Sequence, residues 1–155
     1  MDKRLFLKTS SAIAGGAFLS RFVSCAPKEK ETMEHLKNWA GNLEYSTGNV
    51  HYPKTVAEVQ DVVKKCKSLK ALGSRHSFNK IADSTENQVS LQELNKVISL
   101  DAASNTVTIE AGMRYGELAP YLHEKGYALH NLASLPHITV AGAVATATHG
   151  SGIAS

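Results

Sequence analysis

The sequence predicts an α+β fold with short strands, on three observations. A capped amphipathic helix spans Thr55 to Ser68, two β-rich segments flank an Asn-containing loop between Lys96 and Glu110, and brief apolar strands lie at Leu69–Leu72 and Val89–Leu91. The composition suits such a domain. The chain has 155 residues, 43% of them hydrophobic and 20% charged, which excludes a disordered tail, a collagen-like fibre and a coiled coil. Two cysteines are too few for a disulfide-stapled scaffold.

The first helix begins at Thr55-Val56-Ala57-Glu58, a capping box directly after Pro53. Valines at 56, 59, 62 and 63 form a stripe expected to pack on a sheet. The strand at Leu69–Leu72 runs into a Gly73-Ser74 turn. Lys96–Leu100 and Thr106–Glu110 bracket Asp101–Asn105, and alternation in the second segment predicts an antiparallel hairpin. Arg114 to Lys125 reads as a helix with Leu118, Tyr121 and Leu122 on one face and Gly126 as its stop. Pro120 inside it conflicts with that pattern and is expected to cost a kink.

The formal charge of +3 is located in the leader. Residues 1–24 hold Lys3, Arg4, Lys8 and Arg21 against Asp2, which leaves 13 basic and 13 acidic residues beyond them. An electrostatic footprint for nucleic acid is therefore absent from the neutral remainder. After the basic start comes Ser10–Leu19, weakly apolar and too short for a bilayer span of about 20 residues. This is the pattern of an export signal. Lys3-Arg4-Leu5-Phe6-Leu7-Lys8 resembles the twin-arginine motif with Lys in place of its first Arg. Phe22-Val23-Ser24-Cys25 resembles a lipobox, which makes Cys25 a candidate lipidation site and a membrane anchor. The expected organisation is a signal over 1–25, a charged tether over 26–35 and a domain over 36–155. Cys66, between two lysines, reads as an unpaired helix thiol without chemistry.

Two loops carry the functional signal. Leu72-Gly73-Ser74-Arg75-His76-Ser77-Phe78-Asn79 leaves a strand through a turn without bulky Cβ atoms, so consecutive N–H groups are open to an anion such as a diphosphate. Taken alone, the motif reads better as a plain surface turn. Neither a P-loop nor a Gly-x-Gly-x-x-Gly fingerprint is present. The second loop, Ala133–Gly152, holds eight Ala or Gly and five Ser or Thr among its twenty residues. Such small side chains suit either a tightly packed helix or a wall around a large cofactor. The seven histidines form no metal-spaced pair, and a serine hydrolase elbow is lacking.

Together, Gly73-Ser74-Arg75-His76-Ser77-Phe78-Asn79 and Ala133–Gly152 resemble the flavin-binding half of the alditol/xylitol oxidases, a branch of the vanillyl-alcohol-oxidase type that also contains the sugar-lactone oxidases. Asn38-Trp39-Ala40-Gly41-Asn42 resembles the start of the same domain. The resemblance implies a PCMH-type FAD-binding domain, two small α/β subdomains with FAD between them, incomplete at the C-terminus. It implies that main-chain amides of Gly73, Ser74, Arg75 and Ser77 wrap the diphosphate and that a ring nitrogen of His76 is bonded to the flavin 8α-methyl. Ser134, Thr139, Gly142, Thr146, Ala147, Thr148 and His149 correspond to a second set of FAD contacts, with Ser134 nearest the flavin ring and in reach of substrate. His137 and His149 read as supporting or packing residues in preference to catalytic ones.

The implied reaction is oxidation of a polyol or sugar lactone by O2 with release of H2O2, and no residue is assignable as its catalytic base. Relatives of this type continue well beyond residue 155 into a substrate domain, so the chain is expected to be an inactive part of the enzyme. Two other readings are a membrane-anchored flavin-binding module without catalysis and a non-covalent FAD protein of the same fold.

Overall fold

The computed structural model describes residues 35–152. The export signal, the twin-arginine-like motif, Cys25 and nearly all of the tether lie outside the described residues. Among the described residues nine short elements follow one another. They are β1 (Val50–His51), α1 (Val56–Lys65), β2 (Lys70–Leu72), a 3-10 turn (Lys80–Ala82), β3 (Gln88–Ser90), β4 (Val97–Asp101), β5 (Thr106–Ile109), α2 (Tyr115–Glu124) and α3 (Val140–Ala145).

Strands β1, β3 and β2 form a parallel sheet in that order, with His51 and Ala71 both opposite Val89. The central strand is buried throughout, as a parallel strand with neighbours on both edges must be. Helix α1 supplies the crossover that two parallel strands need. Its Thr55 hydroxyl accepts the Glu58 N–H at 3.2 Å, while the Glu58 carboxylate reaches back to the Lys54 N–H at 2.6 Å, one residue earlier than an ideal capping box.

The valine stripe of α1 packs less than expected. Val59 and Val62 are half-buried, but Val56 is 64% and Val63 56% exposed, and no residue of the helix is fully buried. Its covered edge continues instead through Cys66 and Leu69, at the i+4 and i+7 spacings from Val62.

Strands β4 and β5 form the expected antiparallel hairpin, with Asp101 opposite Thr106 and a bulge between Val97 and Ser99. Asp101 fixes the turn by accepting from the Ala103 N–H at 2.9 Å and the Ser104 hydroxyl at 2.7 Å, and Asn105 takes the left-handed φ of 52°. Helix α2 lies on this hairpin. Met113, Leu118 and Leu122 are buried there against Val97, Leu100, Val107 and Ile109. Pro120 is inside α2 but on its exposed side, so the Gly116 carbonyl that it leaves without a helical donor is open to solvent, and the helix runs on to Glu124. Its end is closed by Tyr127 N–H donating to Leu122 O at 2.9 Å, with Gly126 at φ 80°.

A smaller cluster of Tyr115, Ala133 and Ala143 ties α2 to α3. The segment before α3 is held main chain to main chain. Tyr115 N–H donates to Ile138 O, Gly116 N–H to Pro136 O and Val140 N–H to Met113 O. These bonds fix where Pro136–Val140 passes the rest of the fold.

Candidate functional site

Strand β2 ends at Leu72, which is buried, and the chain turns out through Gly73 and Ser74. Segment Thr139–Gly142 lies directly against this turn. The Thr139 N–H donates to Ser74 Oγ at 3.1 Å across a separation of 65 residues. A Cβ on Gly73 would meet Thr139 Oγ1 at 3.0 Å, and one on Gly142 would meet the same oxygen at 2.7 Å. The Thr139 hydroxyl thus crowds both glycines, one from across the contact and one from three residues earlier in its own segment, and the Cβ position of Gly73 is also 3.9 Å from Gly142 Cα. This is how the small-residue stretch and the Gly-Ser turn become one surface.

The next residue, Arg75, has the left-handed φ of 65°. Its carbonyl accepts the Trp39 N–H at 2.8 Å, and its guanidinium folds back onto Lys37 O at 3.0 Å. The long cation is therefore engaged with the Lys37–Trp39 segment. Asn38, 4% exposed, secures the other side of the turn by donating to Ser77 O at 3.2 Å and accepting from Leu43 N–H at 3.1 Å. Within this frame the amides of Ser74, Arg75, His76 and Ser77 have no acceptor among the described residues. A run of free N–H groups around a left-handed residue is an anion-binding concavity.

Three rings close the site. His76 stacks on Trp39 at 4.8 Å between centroids with 27° between planes, and lies 4.4 Å from His137. Trp39 also reaches His137, at 5.7 Å. The Nε2 atom of His137 is buried and has no hydrogen-bond partner among the described residues. Burial first, and the charge of His137 second, hold the His76 imidazole below its usual range.

The other expected residues fall along the same stretch. Thr139 is buried and precedes α3, and Gly142 is within it. Thr146 donates from its hydroxyl to Gly142 O at 3.0 Å and lies 2.9 Å from the Thr148 hydroxyl. Ala147 has φ 52°, and His149 Nδ1 is 2.7 Å from Gly150 O. Ser134 is exposed on the loop that leads to Pro136. Two supports had no functional reading in the sequence. Asn38 was visible only inside its motif, and Asn131, which accepts the Gly150 N–H at 2.8 Å, carries no local signal.

These residues suit a flavin dinucleotide in two respects. The free amides and the Ser74 and Ser77 hydroxyls supply donors for a diphosphate. The exposed Trp39, stacked on His76 and near His137, supplies apolar area of the kind a large ring system needs. A parallel sheet with a Gly-Ser turn at the end of one strand, packed on a small-residue segment, is the arrangement of a PCMH-type FAD-binding domain. The FAD binding domain family matches residues 48–154, and the chain belongs to that family.

Individual relatives agree. The chain is 46% identical over 121 residues to the alditol oxidase of a Streptomyces species, covering 76% of this chain and 29% of that protein. It is 32% identical over 122 residues to the L-gulonolactone oxidase of Mus musculus, covering 76% and 28%. Among solved structures, cholesterol oxidase from B. sterolicum superposes with a TM-score of 0.64 at 17% identity, over 75% of this chain and 24% of that one. A solvent-stable cholesterol oxidase gives 0.63 at 25% identity, over 77% and 24%. The chain spans less than a third of the length of these relatives.

Proposed function

We propose that this chain is the cofactor-gripping part of a flavin-dependent oxidase acting on a carbinol group of a polyol or sugar lactone, with FAD bonded through His76. The observation that supports it most is the contact of the Gly73–Ser77 turn with Thr139–Gly142, with His76 beside them in a three-ring stack. When bound, FAD supplies the hydride acceptor and, through dioxygen, the route to hydrogen peroxide.

The protein's share is binding and positioning. The free amides of Ser74 to Ser77 would donate to the diphosphate, where charge-assisted bonding favours them. Gly73 lets its turn lie close to Gly142, and the Thr139 N–H anchors one segment to the other through Ser74. Thr146, Ala147, Thr148 and His149 would continue the wall beyond α3, and the exposed Ser134 would be in reach of substrate. His76 would hold the flavin through a ring nitrogen and the methyl carbon, a bond that would replace one N–H and one C–H, with the two electrons and two protons passing to dioxygen as hydrogen peroxide.

The test is acid precipitation of the full chain prepared with FAD. Yellow colour held in the pellet, and lost in His76→Ala, is the expected result. Colour confined to the supernatant overturns the covalent bond but keeps the cofactor, and a colourless protein overturns both. Peroxide release with xylitol or a gulonolactone, from the protein joined to a substrate domain, tests the substrate class.

A further inference from the structure

We infer that His137 is a positioning residue for His76: packed against the His76 ring, with its own Nε2 buried and unpartnered, it keeps His76 neutral and therefore nucleophilic. The inference rests on the covalent reading above and adds what prepares His76 for it.

An imidazole attacks through a ring-nitrogen lone pair, which only the uncharged form possesses. Two imidazoles with centroids 4.4 Å apart cannot both carry a proton without strong repulsion, because like charges at such separation disfavour ionisation. The remaining neighbours do not offset this. Trp39 stacks on both rings and is neutral. Arg75, next in the chain, directs its guanidinium to Lys37 O, and the Lys37 ammonium is 4.0 Å from the Glu44 carboxylate. No carboxylate acts on His76 among the described residues, and the lowering of its basicity has burial and His137 as its causes. A buried nitrogen without a partner is costly, so a packing residue alone would ordinarily be apolar at this position.

The sign follows from the charge. Removing the imidazole of His137 lets His76 hold its proton to higher pH, so its neutral fraction falls on the acidic side only. His137→Phe keeps a ring against His76 and removes the charge, and His137→Gln removes both. Two readouts apply across about pH 5 to 9, roughly the span in which imidazole titrates. One is the rate of covalent flavin incorporation into the full chain. The other is diethylpyrocarbonate modification of His76 in the flavin-free chain, read from the mass of the His76 peptide.

In both variants the acid limb is expected to move to higher pH, with His76 about threefold less reactive near pH 6 and unchanged near pH 8. Limbs that coincide with the wild type, or a loss equal at every pH, overturn the inference. A wild-type limb at or above the ordinary imidazole value of about 6.5 overturns it without any variant. If the wild type takes up no covalent flavin, the covalent reading fails, while modification of the flavin-free chain still decides the role of His137.

Discussion

Thr139 and Ser74 are joined by one hydrogen bond, N–H to Oγ at 3.1 Å, and that bond fastens the end of β2 to the start of α3. Thr139 is buried, so its N–H has no access to water in place of the serine. Ser74→Ala is expected to leave a buried donor unpaired at a cost of about 1–3 kcal/mol. Urea unfolding checks the stability, and the same variant should bind FAD more weakly because the two loops part.

Thr139 Oγ1 is also what both glycines avoid. Gly142→Ala would bring a Cβ to 2.7 Å of that oxygen, closer than real contacts allow, and is expected to cost about 1–3 kcal/mol. Thr139→Ala removes the oxygen, so the double variant should recover part of that loss. A double-mutant cycle measures it, and strict additivity would show that the Thr139 hydroxyl does not limit what position 142 can hold.

The two helices differ in what they bury. Leu118 is 1% exposed under α2, and Leu118→Ala should cost about 2–5 kcal/mol. Val63 on α1 is 56% exposed, and Val63→Lys should change stability by no more than about 0.5 kcal/mol. Denaturant midpoints of the two variants make the comparison.

Asp83 binds Ser46 twice, accepting from its N–H at 2.7 Å and its hydroxyl at 2.8 Å. The backbone bond from Ser46, chiefly, holds the carboxyl below the ordinary carboxylate range. A depressed carboxylate stabilises the fold above its unfolded value and ceases to as pH falls through its folded value. The site is largely exposed, so the effect is small. Asp83→Asn should narrow the difference in melting temperature between pH 6 and pH 3, and thermal scans at the two values test it.

The legible parts of this sequence are those governed by local rules. The Thr55 cap, the Asp101–Asn105 turn and the Gly126 stop each depend on neighbours within a few residues, and all three stand where those rules put them. The valine stripe of α1 misleads because periodicity marks a face without saying what covers it. Two of its four valines remain exposed. At the site, the turn and the small-residue stretch announced themselves by composition, yet nothing local indicated that Thr139 would reach Ser74. The Trp39–His76–His137 stack joins three segments far apart in the chain, and only the fold brings them together.

Titration of FAD with the full chain, followed by flavin fluorescence, tests most directly whether the two loops form a single cofactor-binding surface. Saturable quenching at one FAD per chain, weakened in Ser74→Ala and in Gly142→Ala, is expected. Fluorescence that stays at the level of free FAD in excess protein, or quenching untouched by both substitutions, would contradict it.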